Sequence, residues 1–144
     1  MKMHRRIAMV ATLLVYGGAA VAGQDSTLAS SQATAFVGTW ALTMTEPEAF
    51  KGSQQTVRIW NKNGVVAASV QTGKFPPVDV TGILKDGDML VLTIGHKAQL
   101  PMMENGAPIW AVISLTLDGE TLRAAQMLER SQTIKRGTGQ KQAQ

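Results

Sequence analysis

The sequence predicts an all-β fold: an eight-stranded antiparallel up-and-down meander closed into a barrel. Three observations predict it. Between residues 36 and 136 the apolar side chains recur mostly with period two. Turn residues, three times including glycine, punctuate that pattern at short intervals. No apolar stripe of helical spacing occurs, and Pro47-Glu48-Ala49-Phe50 has room for one helical turn only.

Each element follows from its residues. In the first strand, residues 36–44, Phe36, Trp40, Leu42 and Met44 share a face, and Pro47 and Gly52 mark the loop after it. Residues 56–60 form the second strand. Asn61-Lys62-Asn63-Gly64 then makes a hairpin, since Asn and Gly accept positive φ, and residues 65–72 return. Gly73-Lys74-Phe75-Pro76-Pro77 interrupts the ladder. Residues 78–85 follow, Asp86-Gly87-Asp88 turns the chain, and residues 89–96 return. Residues 97–108 are the longest loop. Residues 109–117 place Ile109, Ala111, Ile113, Leu115 and Leu117 on one face, and Asp118-Gly119-Glu120 leads into residues 121–128. Residues 131–136 are the last short strand. Closing the meander removes both exposed edges. A two-sheet sandwich is the competing architecture.

The ends carry a different composition. Residues 1–6 (MKMHRR) are basic, residues 7–22 are apolar, and Ala20-Val21-Ala22 fits a small-x-small cleavage site. This is the layout of a signal peptide, so residues 1–22 are expected to be removed and the product to be exported, soluble, and periplasmic or extracellular. The apolar run is too short for a membrane span, so no integral span is expected after cleavage. Residues 23–35, small and polar, read as a flexible leader, residues 36–136 as the β-barrel domain, and residues 137–144 as a disordered tail.

Composition excludes several classes. The chain has no cysteine, so disulfide scaffolds, Cys zinc sites and Cys nucleophiles are ruled out. The net charge of +4 falls to +1 once Lys2, Arg5 and Arg6 are set aside, which supports no nucleic-acid partner.

Val37-Gly38-Thr39-Trp40 opens the first strand after the leader, and its Gly-x-Trp resembles the calycin superfamily of lipocalins, avidins and small bacterial metalloprotease inhibitors, most of all short bacterial lipocalin-like secreted domains. The resemblance implies that Trp40 lies across the bottom of the barrel. It also implies that an arginine of the last strand, here Arg136, packs over the indole, so that Gly38, Trp40 and Arg136 form a structural latch. Such a cation–π contact is worth about 0.5–2 kcal/mol. The lipocalin Thr-Asp-x-x-Tyr signature is replaced by Leu117-Asp118-Gly119-Glu120, and the only tyrosine is Tyr16, so biotin is not the expected ligand. In the inhibitors an N-terminal segment reaches the enzyme, a part that residues 23–35 would play here.

No constellation for catalysis, metal or cofactor binding emerges. His96 is the one histidine outside the signal segment. Asp86-Gly87-Asp88 lacks the remaining ladder of a calcium loop. Glu46 and Glu48 flank Pro47 in a loop, and neither a Gly-x-Ser-x-Gly elbow nor a phosphate-binding loop occurs. Binding is therefore the expected role, with a small apolar molecule or a protein as partner. Trp60 and Trp110 alternate against their aliphatic neighbours, so they either cover the sheet or form an aromatic patch. Leu100, Met102 and Met103 either cap the barrel or form an adaptable contact surface. A carrier of an apolar ligand requires a cavity lined by Leu90, Leu92, Ile94, Ile113 and Leu115; a protein-interaction module, for example an inhibitor of an extracellular protease, requires a filled barrel.

Overall fold

A computed structural model describes residues 27–95, 103–104, 107–108, 111–128 and 133–143. The expected signal peptide, His96, Leu100, Met102 and Trp110 lie outside the described residues. The fold is all-β. Its strands are β1 (Gly38–Glu46), β2 (Gln54–Lys62), β3 (Val65–Thr72), β4 (Val78–Asp79), β5 (Gly82–Asp86), β6 (Met89–Ile94), β7 (Met103–Glu104), β8 (Ala107–Pro108), β9 (Ala111–Asp118), β10 (Thr121–Leu128) and β11 (Ile134–Lys141). Nine of them form one curled antiparallel sheet in the order β4-β3-β2-β1-β11-β10-β9-β6-β5, while β7 and β8 pair separately. Among the described residues no helix is long and apolar enough to cross a membrane.

The ninth strand comes from a split. The expected strand over residues 78–85 is divided at Val80-Thr81 into β4 and β5, because its neighbour changes there. Val80 N–H donates to Ala68 O beside β4 at 2.9 Å, and the next amide, Thr81 N–H, donates to Thr93 O of β6 at 2.8 Å. Consecutive residues thus bond to opposite edges of the curled sheet.

The period-two reading places the core correctly. Trp40, Leu42 and Met44 of β1, Val57 and Ile59 of β2, and Leu122 of β10 all point inward and are at most 2 % exposed. Asn63 and Gly64 both have positive φ, 54° and 91°, as a two-residue hairpin of the first-primed type requires. Asn61 Oδ1 accepts the Gly64 N–H at 2.8 Å and the Ser30 hydroxyl at 2.9 Å, tying this turn to the leader.

Both expected chain ends are corrected. Within the flexible leader assigned to residues 23–35, Ser30–Gln32 is a 3-10 turn, with a second at Thr34–Phe36, and Ala33 is 1 % exposed. Ser30 N–H donates to Gly64 O and Val66 N–H to Leu28 O, both at 2.9 Å, so the leader is stitched across the end of the β2–β3 hairpin. At the other terminus, the strand expected to stop at Arg136 continues to Lys141 through residues assigned to a disordered tail. This segment lies between β1 and β10 and is paired on both sides. Its inward positions include Gly137 and Gly139. A Cβ on Gly139 would stand 2.5 Å from Ala41 O and from Leu42 Cδ2, and one on Gly137 2.6 Å from Thr43 O. The glycines let β1 approach closely, and its side chains fill the space they leave.

Candidate functional site

The two ends of the curled sheet differ. The base is the end that holds Trp40, the two leader 3-10 turns, the β2–β3 hairpin and the Asp86-Gly87 and Asp118-Gly119 turns. Its indole Nε1–H donates to Phe36 O at 2.8 Å. The cation over its ring is Lys141, with Nζ 5.2 Å from the centroid. This corrects the assignment of Arg136 to the latch. Lys141 is the cross-strand partner of Trp40, whereas Arg136 lies opposite Glu46 near the far end of β1, its Nε 4.0 Å from the carboxylate. Gly38 keeps a part in the latch. Its φ is 143°, which disfavours a side chain, and a Cβ there would meet the Lys141 stem at 3.0–3.3 Å. An open recess of about 530 Å³ lies beside Trp40, bordered by Leu117, Glu120, Gln140 and Lys141.

At the opposite end, called the mouth here, three polar side chains face inward from three strands. Gln55, Gln126 and Lys135 are 6, 5 and 8 % exposed. Gln55 Nε2 donates to Gln126 Oε1 at 2.8 Å, and Gln126 is the cross-strand partner of Lys135. Gln55 Oε1 is buried with no hydrogen-bond partner. The Lys135 ammonium lies 3.9 Å from the centroid of Phe50, a half-buried ring on the turn Glu48–Phe50. Burial pushes the Lys135 pKa below its ordinary 10.5. The sequence reading did not single out this cluster, although its signal was present. Gln55 continues the inward parity of Val57 and Ile59, and Gln126 that of Leu122 and Ala124.

Between the ends the described inward side chains are buried. Leu90, Leu92, Ile113 and Leu115 are 0 % exposed and Ile94 is 3 % exposed, so no water-sized space adjoins the first four. Outside, Trp60 is half-buried, with the Arg58 guanidinium 4.9 Å from its ring centroid. Its cross-strand neighbour Ala67 is only 6 % exposed, so Trp60 covers the sheet. Met103 falls within β7, paired opposite Pro108. The more exposed apolar side chains of this outer face lie on other strands. Leu84 (53 % exposed) is opposite Val91, while Met127 (48 %) stands between its partners Val112 and Ile134 (42 %). A groove of about 400 Å³ is bordered by Met89, Ser114, Thr116, Arg123 and Arg136. Arg123 pairs with Asp118 at 2.6 Å. Among the described residues no three His, Asp or Glu side chains cluster as a metal site would require.

Comparison of this chain with protein-family models, with curated proteins and with solved structures finds no match, so the packed interior, the mouth cluster and the outer apolar face carry the functional argument.

Proposed function

We propose that this chain is an exported, calycin-like barrel that acts without catalysis as a protein-interaction module. One observation carries the choice over a carrier of a small apolar molecule: of the five side chains expected to line a ligand cavity, Leu90, Leu92, Ile113 and Leu115 are 0 % exposed and Ile94 is 3 % exposed, all within one core cluster. Apolar ligand pockets bury most of the ligand's surface, and among the described residues no water-sized space adjoins Leu90, Leu92, Ile113 or Leu115. Large apolar side chains are instead left on the outer face at Leu84, Met127 and Ile134, the last two being cross-strand partners. Exposed apolar surface rimmed by polar groups is characteristic of protein contacts. The change of partner at Val80-Thr81 supports closure of the sheet, with β4 and β5 acting as one of eight barrel strands. The leader beneath the base and the Gly38–Trp40–Lys141 latch support the calycin likeness. Export rests on the pattern of residues 1–22.

Native mass spectrometry of the protein purified from its own host tests the reading. The expected result is a polypeptide free of small ligand, with a protein partner that is captured by the wild type and lost in Met127→Glu at unchanged melting temperature. A stoichiometric apolar small molecule, or a partner indifferent to Met127→Glu and Leu84→Glu, would overturn it.

A further inference from the structure

We propose that the mouth end holds a binding site for a carboxylate that carries an N–H or O–H donor beside it, formed by Lys135, Gln55 and Gln126 and covered by Phe50. This goes beyond the interaction-module reading, and either can fail without the other.

Two unmet demands define the ligand. The first is positive charge. Lys135 is 8 % exposed, and among the described residues its ammonium pairs with no carboxylate; its contact is the Phe50 ring. A ring face attracts an ammonium through its quadrupole, more weakly than a hydrogen-bonded negative charge does. The second is an acceptor. Gln55 Oε1 is buried and receives no donor, while the amide's Nε2 is engaged with Gln126 Oε1. Buried carbonyl oxygens in folded proteins are rarely left in this state. A carboxylate alone meets only the first demand, and a hydroxyl or amide alone only the second. A carboxylate with an adjacent N–H or O–H meets both, its oxygen against Lys135 and its donor against Gln55.

The surroundings limit the rest of the ligand. The cluster sits on β2, β10 and β11, and the Leu and Ile side chains of β6 and β9 below it are packed. The ligand's head must therefore be small, and it would reach Lys135 beside the three-residue turn Glu48–Phe50, whose Phe50 ring contacts the ammonium. The same chemistry is offered by a free N-acylated or hydroxylated small acid and by the carboxyl terminus of a protein chain, whose last amide N–H lies beside the carboxylate.

The test is calorimetric titration of the whole protein with N-acetylglycine, with N-acetylglycinamide and acetate as controls. Saturable binding of N-acetylglycine is expected, with no binding of the amide and weaker binding of acetate. Lys135→Met should weaken N-acetylglycine at least tenfold, and Lys135→Arg should retain it. Phe50→Ala, which removes the cover, should bind at least as tightly as wild type. Should Lys135→Met not fold, Gln55→Leu replaces it: that variant should lose the preference for N-acetylglycine over acetate. Tighter binding of a tetra-alanine peptide with a free carboxyl end than of N-acetylglycine assigns the site to chain termini, and the reverse order assigns it to small acids. An unsaturable wild-type response, equal binding by Lys135→Met, or an unchanged preference in Gln55→Leu overturns the proposal. Loss of a protein partner in Met127→Glu bears on the outer face alone.

Discussion

Lys141 lies over the indole of Trp40, its Nζ 5.2 Å from the ring centroid, and the two residues are cross-strand partners on the strands that join the first sheet segment to the last. The contact therefore holds two things at once, a buried aromatic and the end of the chain. Trp40 itself is 2 % exposed and anchored by its indole N–H on Phe36 O.

Trp40→Ala is expected to cost about 3–5 kcal/mol, the range for removing a large buried aromatic. Lys141→Met should cost less than about 1 kcal/mol, because the lysine is exposed and solvent weakens the cation–π term. Urea denaturation of both single variants and the double variant checks this. Equal costs for the two would argue that the lysine does more than cover the ring.

Truncation after Arg136 should abolish cooperative folding. Residues 137–141 pair with β1 on one side and β10 on the other, so their loss leaves one edge of each strand unpaired and breaks the sheet between them. Gly139→Ala is a milder version of the same test. Its Cβ would fall 2.5 Å from Ala41 O, and overpacking of this kind costs about 1–3 kcal/mol. Thermal melts followed by circular dichroism report both.

The Lys135 pKa lies below its ordinary 10.5 because burial penalises the charged form. The unfolded chain then binds more protons than the folded one between the folded value and 10.5, so this group makes stability rise with pH across that window. Below the window the lysine is charged in both states and its burial penalty is fully felt. Stability curves against pH should show this rise in the wild type and lose it in Lys135→Met, which should also be the more stable protein at neutral pH.

Gln55 and Gln126 form a buried amide pair with one oxygen unsatisfied. Replacing Gln126 alone by Leu removes the 2.8 Å acceptor of Gln55 Nε2, leaves it only Thr72 Oγ1 at 3.5 Å, and should cost about 1–3 kcal/mol. Replacing both by Leu removes the unmet demand and should be close to neutral or stabilising. A double-variant cycle in urea, with coupling well away from zero, is the expected outcome.

Much of this fold was legible in the residues, and so was part of the site. Alternation along residues 36–44 and 111–117 determined which side chains face inward, since a strand's period of two is a local property that burial on one face exploits. Asn63-Gly64, Asp86-Gly87 and Asp118-Gly119 determined where the chain reverses, because positive φ is a cost that few other residues escape. The polar breaks in parity at Gln55 and Gln126 were also readable, although local pattern does not show that two such breaks meet across the interior.

Tertiary structure alone decided the rest. The segment Gly137-Thr138-Gly139-Gln140 carries no apolar pattern, since its inward positions are glycines whose volume is taken by Leu42 and Met44 of another strand. It reads as a tail until β1 is placed beside it. The same pairing decided that the residue facing Trp40 is Lys141 rather than Arg136, because register between the first and last strands is set by how the sheet curls, roughly a hundred residues apart in the chain. Curling also decided where residues 78–86 change partner and made a small, polar leader into the floor of the base. Composition and periodicity speak for one strand at a time; the contacts that hold this molecule together are made between distant segments once the sheet has curled.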